Sequence, residues 1–159
     1  MTSKSWAEHY LGNASLADGL GDAGDLLLFG NRINAEFTDI FSSGSNFSAP
    51  GLISLQSGAD GLYLHNTSLL GGFNVQGVGA SIALLSAGDI ALTTEAERAV
   101  ISTGTGGEQD GGAILVAATG DLTLRGQFDI TSNVLGAESE GGSGGEISLQ
   151  GRSVLLEQA

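Results

Sequence analysis

Ser81-Ile82-Ala83-Leu84-Leu85-Ser86-Ala87-Gly88-Asp89-Ile90-Ala91-Leu92 and Ala113-Ile114-Leu115-Val116-Ala117-Ala118-Thr119-Gly120-Asp121-Leu122-Thr123-Leu124 are two copies of one pattern. Each is an apolar–x–apolar strand, a Gly-Asp turn, and a second such strand. A weaker copy is Leu52-Ile53-Ser54-Leu55 continued by Gly61-Leu62-Tyr63-Leu64, and a last one is Glu146-Ile147-Ser148-Leu149 leading into Val154-Leu155-Leu156. With Ile53, Ile82, Ile114 and Ile147 taken as equivalent, subtraction gives spacings of 29, 32 and 33 residues. The turns Gly88-Asp89-Ile90 and Gly120-Asp121-Leu122 lie 32 apart, so two independent anchors agree. A third strand follows in each unit: Phe73-Asn74-Val75, Ala99-Val100-Ile101 and Phe128-Asp129-Ile130. A repeat of this length is the mark of a solenoid.

Within each strand the apolar residues stand at i and i+2. Alternate side chains of a strand point to opposite faces, so Ile82 and Leu84 turn inward and Ser81 and Ala83 outward. A helix stripe needs i, i+3, i+4 spacing, and no convincing helix is found. One coil cannot bury its own apolar residues; stacked coils can, each inward Ile or Leu lying over its equivalent in the next coil. The expectation is an all-β, right-handed parallel β-helix with three short strands per coil. Its core ladder is Ile53, Ile82, Ile114 and Ile147, then Leu62, Ile90 and Leu122, then Ile101 and Ile130. Gly88, Asp89, Gly120 and Asp121 form its repeated turn. Glycine pairs such as Gly71-Gly72, Gly111-Gly112 and Gly144-Gly145 mark further corners.

The first fifty residues fit this register less well. Gly24-Asp25-Leu26 repeats the corner, and Ile33, Ala35 and Phe37 alternate as a strand; residues 39–51 read as a loop closed by Pro50. Residues 1–21 show no register and hold Trp6, His9 and Tyr10. Terminal solenoid units are atypical because they cover an open end. Residues 1–23 are therefore read as a cap or docking arm, and 24–159 as the β-helix repeats.

Composition narrows the functions. The chain has 159 residues, 41% of them hydrophobic, enough for one domain with a true core. Its 27 glycines beside one proline suit tight turns between strands. Five Lys or Arg against 18 Asp or Glu leave a net charge of −13, so no basic stripe exists for nucleic acid or for an anionic membrane surface. There is no cysteine, which excludes disulfides, thiolate metal sites and thiol nucleophiles. No apolar window is long enough to span a bilayer as a helix, and residues 1–11 lack the apolar core of a secretory signal.

The copies at Ile82–Leu92 and Ile114–Leu124, with loops such as Gly141-Gly142-Ser143-Gly144-Gly145-Glu146-Ile147, resemble passenger repeats of the filamentous haemagglutinin family, above all its cyanobacterial versions. The resemblance covers about residues 51–156. It implies a secreted right-handed β-helix used for adhesion, surface coating or filament formation. The secretion domain of such proteins carries Asn-Pro motifs; here Pro50 follows Ala49, so the chain corresponds to passenger material and not to the secretion module.

Chemical motifs are sparse. Gly19-Leu20-Gly21-Asp22-Ala23-Gly24 matches GxGxxG but precedes a strand, with no helix after it, unlike a dinucleotide site. His9 and His65 are the only histidines, and neither stands in a triad or metal signature. Asp89 and Asp121, one coil apart, are the candidate acid pair for polysaccharide cleavage, and Arg98, Arg125 and Arg152 the only repeat cations to steady developing charge. Their place in a repeated turn favours turn capping instead. Glu108-Gln109-Asp110 and Glu138-Ser139-Glu140 leave Ca²⁺ as the one cofactor open, without the nonapeptide calcium pattern. Asn13, Asn46 and Asn66 begin glycosylation sequons. Thr93, Thr123 and Thr131 form no rank of the kind ice binding uses.

The expected function is that of a non-enzymatic extracellular structural or adhesive protein. Open coil ends expose unpaired strand edges that invite another copy, and the Ile147 and Val154 coil would accept the N-terminal coil of the next subunit. Self-association end to end and cell-surface glycans are the partners expected; nucleic acid and membrane insertion are not. The alternative is a polysaccharide-binding or polysaccharide-cleaving β-helix module, for which a row of exposed aromatics would be the sign. At 6% aromatic residues, with Tyr63 and Phe73 apart, no such row is evident.

Overall fold

Short apolar alternation broken by glycine gives strands of four to seven residues and no room for helices. The computed structural model describes residues 9–14, 24–43, 51–74, 79–95, 98–105, 110–134 and 142–157, and every regular element among them is a β-strand. A single strand, β1 (His9–Ala14), comes first. The first coil is β2 (Leu26–Gly30), β3 (Ile33–Glu36) and β4 (Thr38–Ser43). The second is β5 (Ile53–Ser57), β6 (Leu62–His65) and β7 (Ser68–Asn74); the third is β8 (Ile82–Ser86), β9 (Ile90–Thr93) and β10 (Ala99–Thr105). The fourth is β11 (Ile114–Ala118), β12 (Leu122–Arg125) and β13 (Phe128–Val134), and β14 (Ile147–Gln150) with β15 (Val154–Glu157) begins a fifth.

These strands form three parallel five-stranded sheets, ordered β2-β5-β8-β11-β14, β3-β6-β9-β12-β15 and β1-β4-β7-β10-β13. Each chain segment therefore bonds to its equivalent one coil away, and the fold is a parallel β-solenoid with four complete coils. In the first sheet Leu26, Ile53, Ile82, Ile114 and Ile147 are successive Cα partners. In the second, Ile33, Leu62, Ile90, Leu122 and Val154 are. In the third, Leu11, Ile40, Leu69, Ile101 and Ile130 are. The inner members of these columns are all but inaccessible to solvent and share one interior with Leu55, Leu84, Val116, Leu64 and Leu92. Each fully buried Leu or Ile contributes roughly 1.5–3 kcal/mol relative to exposure. Backbone donors at the strand starts are satisfied across coils: Ile53 N–H donates to Ser81 O at 3.0 Å, Ile82 N–H to Ala113 O at 2.9 Å and Ile114 N–H to Glu146 O at 2.8 Å.

Several sequence expectations need correction. The strand of the second coil that meets Ile101 is led by Leu69, not Phe73, which pairs with Gly104. Further along the same pair Gly71 meets Thr103 and Phe73 meets Gly104, so Gly72, at φ +31°, is the unpaired extra residue of a β-bulge. Gly71-Gly72 thus lies inside β7, not at a corner. Residues 38–43, read partly as loop, are the strand β4, its inward Ile40 masked by polar neighbours. Phe37, read as the third inward residue of a strand, is the corner itself at φ +50°. It occupies the same corner as Asn66 (φ +46°) and Gly126 (φ +110°). Asn and Gly suit this left-handed conformation, whereas Phe there costs about 1–2 kcal/mol. Before residue 22, where the sequence shows no register, β1 nevertheless pairs with β4 and adds a rung to the third sheet.

Candidate functional site

The corner between the first and second sheets carries the Gly-Asp turn. The Asp89 carboxylate accepts the backbone N–H of Asp121, one coil on, at 2.8 Å. The expected role was capping within its own turn; the bond instead ties successive coils. The same device recurs at other corners. Asp25 accepts from Leu52 N–H at 2.8 Å, Asn66 from Glu95 N–H at 3.1 Å and Asp110 from Ser143 N–H at 2.9 Å. Each acceptor side chain serves the following coil. Gly120 is required beside it, since a Cβ there would meet Asp89 Oδ1 and Gly88 backbone.

Asp121 in turn accepts from Arg152 Nε at 3.0 Å and lies 2.9 Å from its Nη2. The hydrogen bond from Arg152 and one from Ser153 hold the Asp121 carboxyl below the usual carboxylate range, and the same pair pushes the Arg152 guanidinium up. A general acid needs the opposite shift. Arg98 pairs with Asp129 and Arg125 Nε with Glu157 at 2.9 Å, so each repeat arginine is engaged by an acid. Because folding lowers the Asp121 pKa, its contribution to stability is present above the ordinary carboxylate value and is lost as pH falls through the lowered one. Arg152→Gln is expected to raise the Asp121 titration toward the ordinary carboxylate range, the Ser153 hydrogen bond remaining. A side-chain carboxyl NMR titration at low salt checks this, and an unmoved midpoint would contradict the assignment.

His65 is held on both ring nitrogens, by the Thr93 hydroxyl at 2.9 Å and by the Asn66 amide at 3.0 Å, with Phe37 packed edge-on at 5.5 Å. Tyr63 lies under the Arg32 guanidinium at 4.6 Å, and its outward column of Asn34, Ala91, Thr123 and Leu155 holds no second aromatic. Thr93 and Thr123 stand in different columns of the second sheet and Thr131 in the third. Among the described residues no group of three or more His, Asp or Glu could hold a metal ion. Trp6, residues 19–23 of the Gly-rich match, Asn46, Pro50, Glu108, Glu138 and Glu140 lie outside the described residues, as do the side chains of His9, Tyr10, Asn13 and Phe73.

A polar inner column was not anticipated from the sequence. Ser42, Gly71, Thr103 and Ser132 are successive partners in the third sheet. The Ser42 hydroxyl accepts from Gly51 N–H at 3.0 Å, Ser132 donates to Gly112 O at 2.8 Å, and Gly145 N–H donates to Ser132 at 2.7 Å. These hydroxyls bind the glycine corner that leads back to the first sheet. The signal was present as a Ser or Thr two residues after Ile40, Ile101 and Ile130, with Gly71 in that place after Leu69.

The coil begun by β14 and β15 is the candidate functional surface. Ile147, Val154 and Leu156 are 42%, 45% and 64% exposed, whereas Ile114, Leu122 and Leu124 at the same positions one coil earlier are 1%, 0% and 6% exposed. Residues at core positions therefore face solvent, and among the described residues β14 and β15 each pair with one strand only. A cavity of about 690 Å³ opens at this mouth, lined by Leu124, Ile130, Leu149 and Leu156 and rimmed by Arg98, Asp129 and Glu157. No protein-family model matches the chain, and searches of curated proteins and of solved structures found no match either.

Proposed function

We propose that the chain is a non-enzymatic structural and adhesive protein of the cell exterior, a β-solenoid whose copies stack end to end into a filament or surface fibre. The observation that carries this reading is the exposure of Ile147, Val154 and Leu156 at positions that are core in every inner coil. Covering them would contribute about 1 kcal/mol per residue, and the free edges of β14 and β15 would gain hydrogen-bond partners. Such a contact is heterologous, joining a last coil to a first coil, and does not close on itself, so it propagates into fibres. The charge of −13 keeps the sides of such fibres apart from one another. The extracellular placement and the adhesive role rest on the resemblance of the repeats to filamentous haemagglutinin passengers.

Electron microscopy and sedimentation of the purified chain test the reading. Rods that lengthen with protein concentration are expected, and Val154→Lys with Leu156→Lys should leave only monomers. Monomers of the unaltered chain at high concentration would overturn it.

A further inference from the structure

We propose that the corner joining the second and third coils after β6 and β9 is a pH-sensitive latch, held by neutral His65 with its proton on Nδ1. The proton positions follow from donors that cannot accept. The backbone N–H of Glu95 donates to Asn66 Oδ1 at 3.1 Å, so the carboxamide oxygen faces Glu95. The amide nitrogen Nδ2 therefore faces His65 Nε2, at 3.0 Å. An amide nitrogen only donates, so Nε2 is the bare, accepting nitrogen of the ring. The one ring proton is then on Nδ1, which donates to Thr93 Oγ1 at 2.9 Å. The reverse arrangement, with the Thr93 hydroxyl donating to a bare Nδ1, would set Nε2–H against the Asn66 amide protons. One chain of hydrogen bonds thus runs from Glu95 through Asn66 and His65 to Thr93, linking the end of β6 to the end of β9.

A second proton on His65 breaks this chain on one side only. Nδ1–H donates to Thr93 in either charge state. Nε2, once protonated, meets Asn66 Nδ2 as donor against donor. Turning the Asn66 amide over relieves that contact but moves it to Glu95, whose N–H would then face Nδ2. Asn66 itself stays in place, since its own N–H donates to Thr93 O at 2.8 Å and its backbone forms the left-handed corner at φ +46°. Acid therefore releases Glu95, two residues beyond β9, and not the ladder between the coils. The charged groups around the ring do not restore the bond. Glu36, the partner of His65 on β3, and Glu95 are both exposed, so water screens their attraction for a charged imidazole. Arg125, beyond Thr93 on β12, is paired with Glu157, and Phe37, packed edge-on, carries no charge. The latch is closed while His65 is neutral and opens as pH falls through its titration. It stands apart from the end-to-end reading and operates in a single copy.

Nitrogen-15 NMR of the whole chain reads the latch directly. The chain has two histidines, and the His65 signals are those that vanish in His65→Gln. Above the His65 titration Nε2 should show the shift of a bare ring nitrogen and Nδ1 that of a protonated one; the opposite tautomer would overturn the proposal. As pH falls through that titration, protection of the Glu95 amide from hydrogen exchange, taken relative to its intrinsic rate at each pH, should drop roughly fivefold, the worth of one ordinary hydrogen bond. The Ile90 amide, bonded to Asp121 O, should keep its protection over the same range. In His65→Gln the Glu95 amide should stay protected into acid. In Asn66→Gly, which suits the left-handed corner as Gly126 does, it should be weakly protected at every pH. Glu95 protection that is unchanged as His65 titrates, or that falls in step with Ile90, would overturn the latch.

Discussion

Replacing Gly112 with alanine is expected to cost more than about 4 kcal/mol, enough to unfold the central coils at room temperature. An added Cβ there would stand 1.8 Å from the Ala80 carbonyl oxygen and 2.3 Å from its carbon, both backbone atoms of the preceding coil. No rotamer change relieves such a contact; the coils themselves must separate, and the ladder bonds above and below separate with them. Gly112 O also accepts from Thr103 and Ser132, so the polar inner column would lose its anchor. Gly30→Ala at the first coil serves as the comparison, since its nearest contact would be 3.1 Å. Urea denaturation followed by circular dichroism checks the pair. Equal midpoints for the two variants would show that coil spacing at Gly112 is not limiting.

The second large effect is expected in the core. Leu92→Ala should lower stability by about 3 kcal/mol, the transfer loss of a buried leucine plus the cavity it leaves. Leu92 is inaccessible and sits in one column with Ala35, Leu64, Leu124 and Leu156. Leu156→Ala, at the open end of that column, should cost under about 1 kcal/mol in the monomer, because much of its side chain already meets water. Thermal unfolding at low protein concentration distinguishes them. A Leu156 effect as large as that of Leu92 would mean that the last coil is covered.

The fold was legible in the sequence where the inward residues are large and apolar. Ile53, Ile82, Ile114 and Ile147 announce a column because nothing else alternates with Ser, Ala or Leu at that spacing. The third sheet was harder to read for a physical reason. One of its inner columns is made of Ser42, Gly71, Thr103 and Ser132, which bury hydroxyls against glycine carbonyls and amides and so carry no hydropathy signal. The alternation Phe73-Asn74-Val75 pointed to the wrong stretch, because the true partner of Ile101, Leu69, is followed by Leu70 and shows no clean alternation. At the corners, Asp89 could be recognised as a turn residue, but its bond to Asp121 depends on how the coils are stacked, which a single repeat does not encode. The exposed mouth at Ile147 and Val154 was inferable once the last copy of the repeat was recognised. The strand β1 was not, since His9-Tyr10-Leu11-Gly12-Asn13-Ala14 has no strong alternation to mark it as a rung.

The axial rise of a filament assembled from this chain tests the whole account most directly. Among the described residues each sheet has five strands, and with parallel strands roughly 4.8 Å apart end-to-end stacking with all three sheets continuous predicts a rise of about 24 Å per subunit. Helical reconstruction by electron cryomicroscopy would measure it. A rise of another length, or fibres in which copies lie side by side with their ends uncovered, would contradict the open coil as the assembly surface.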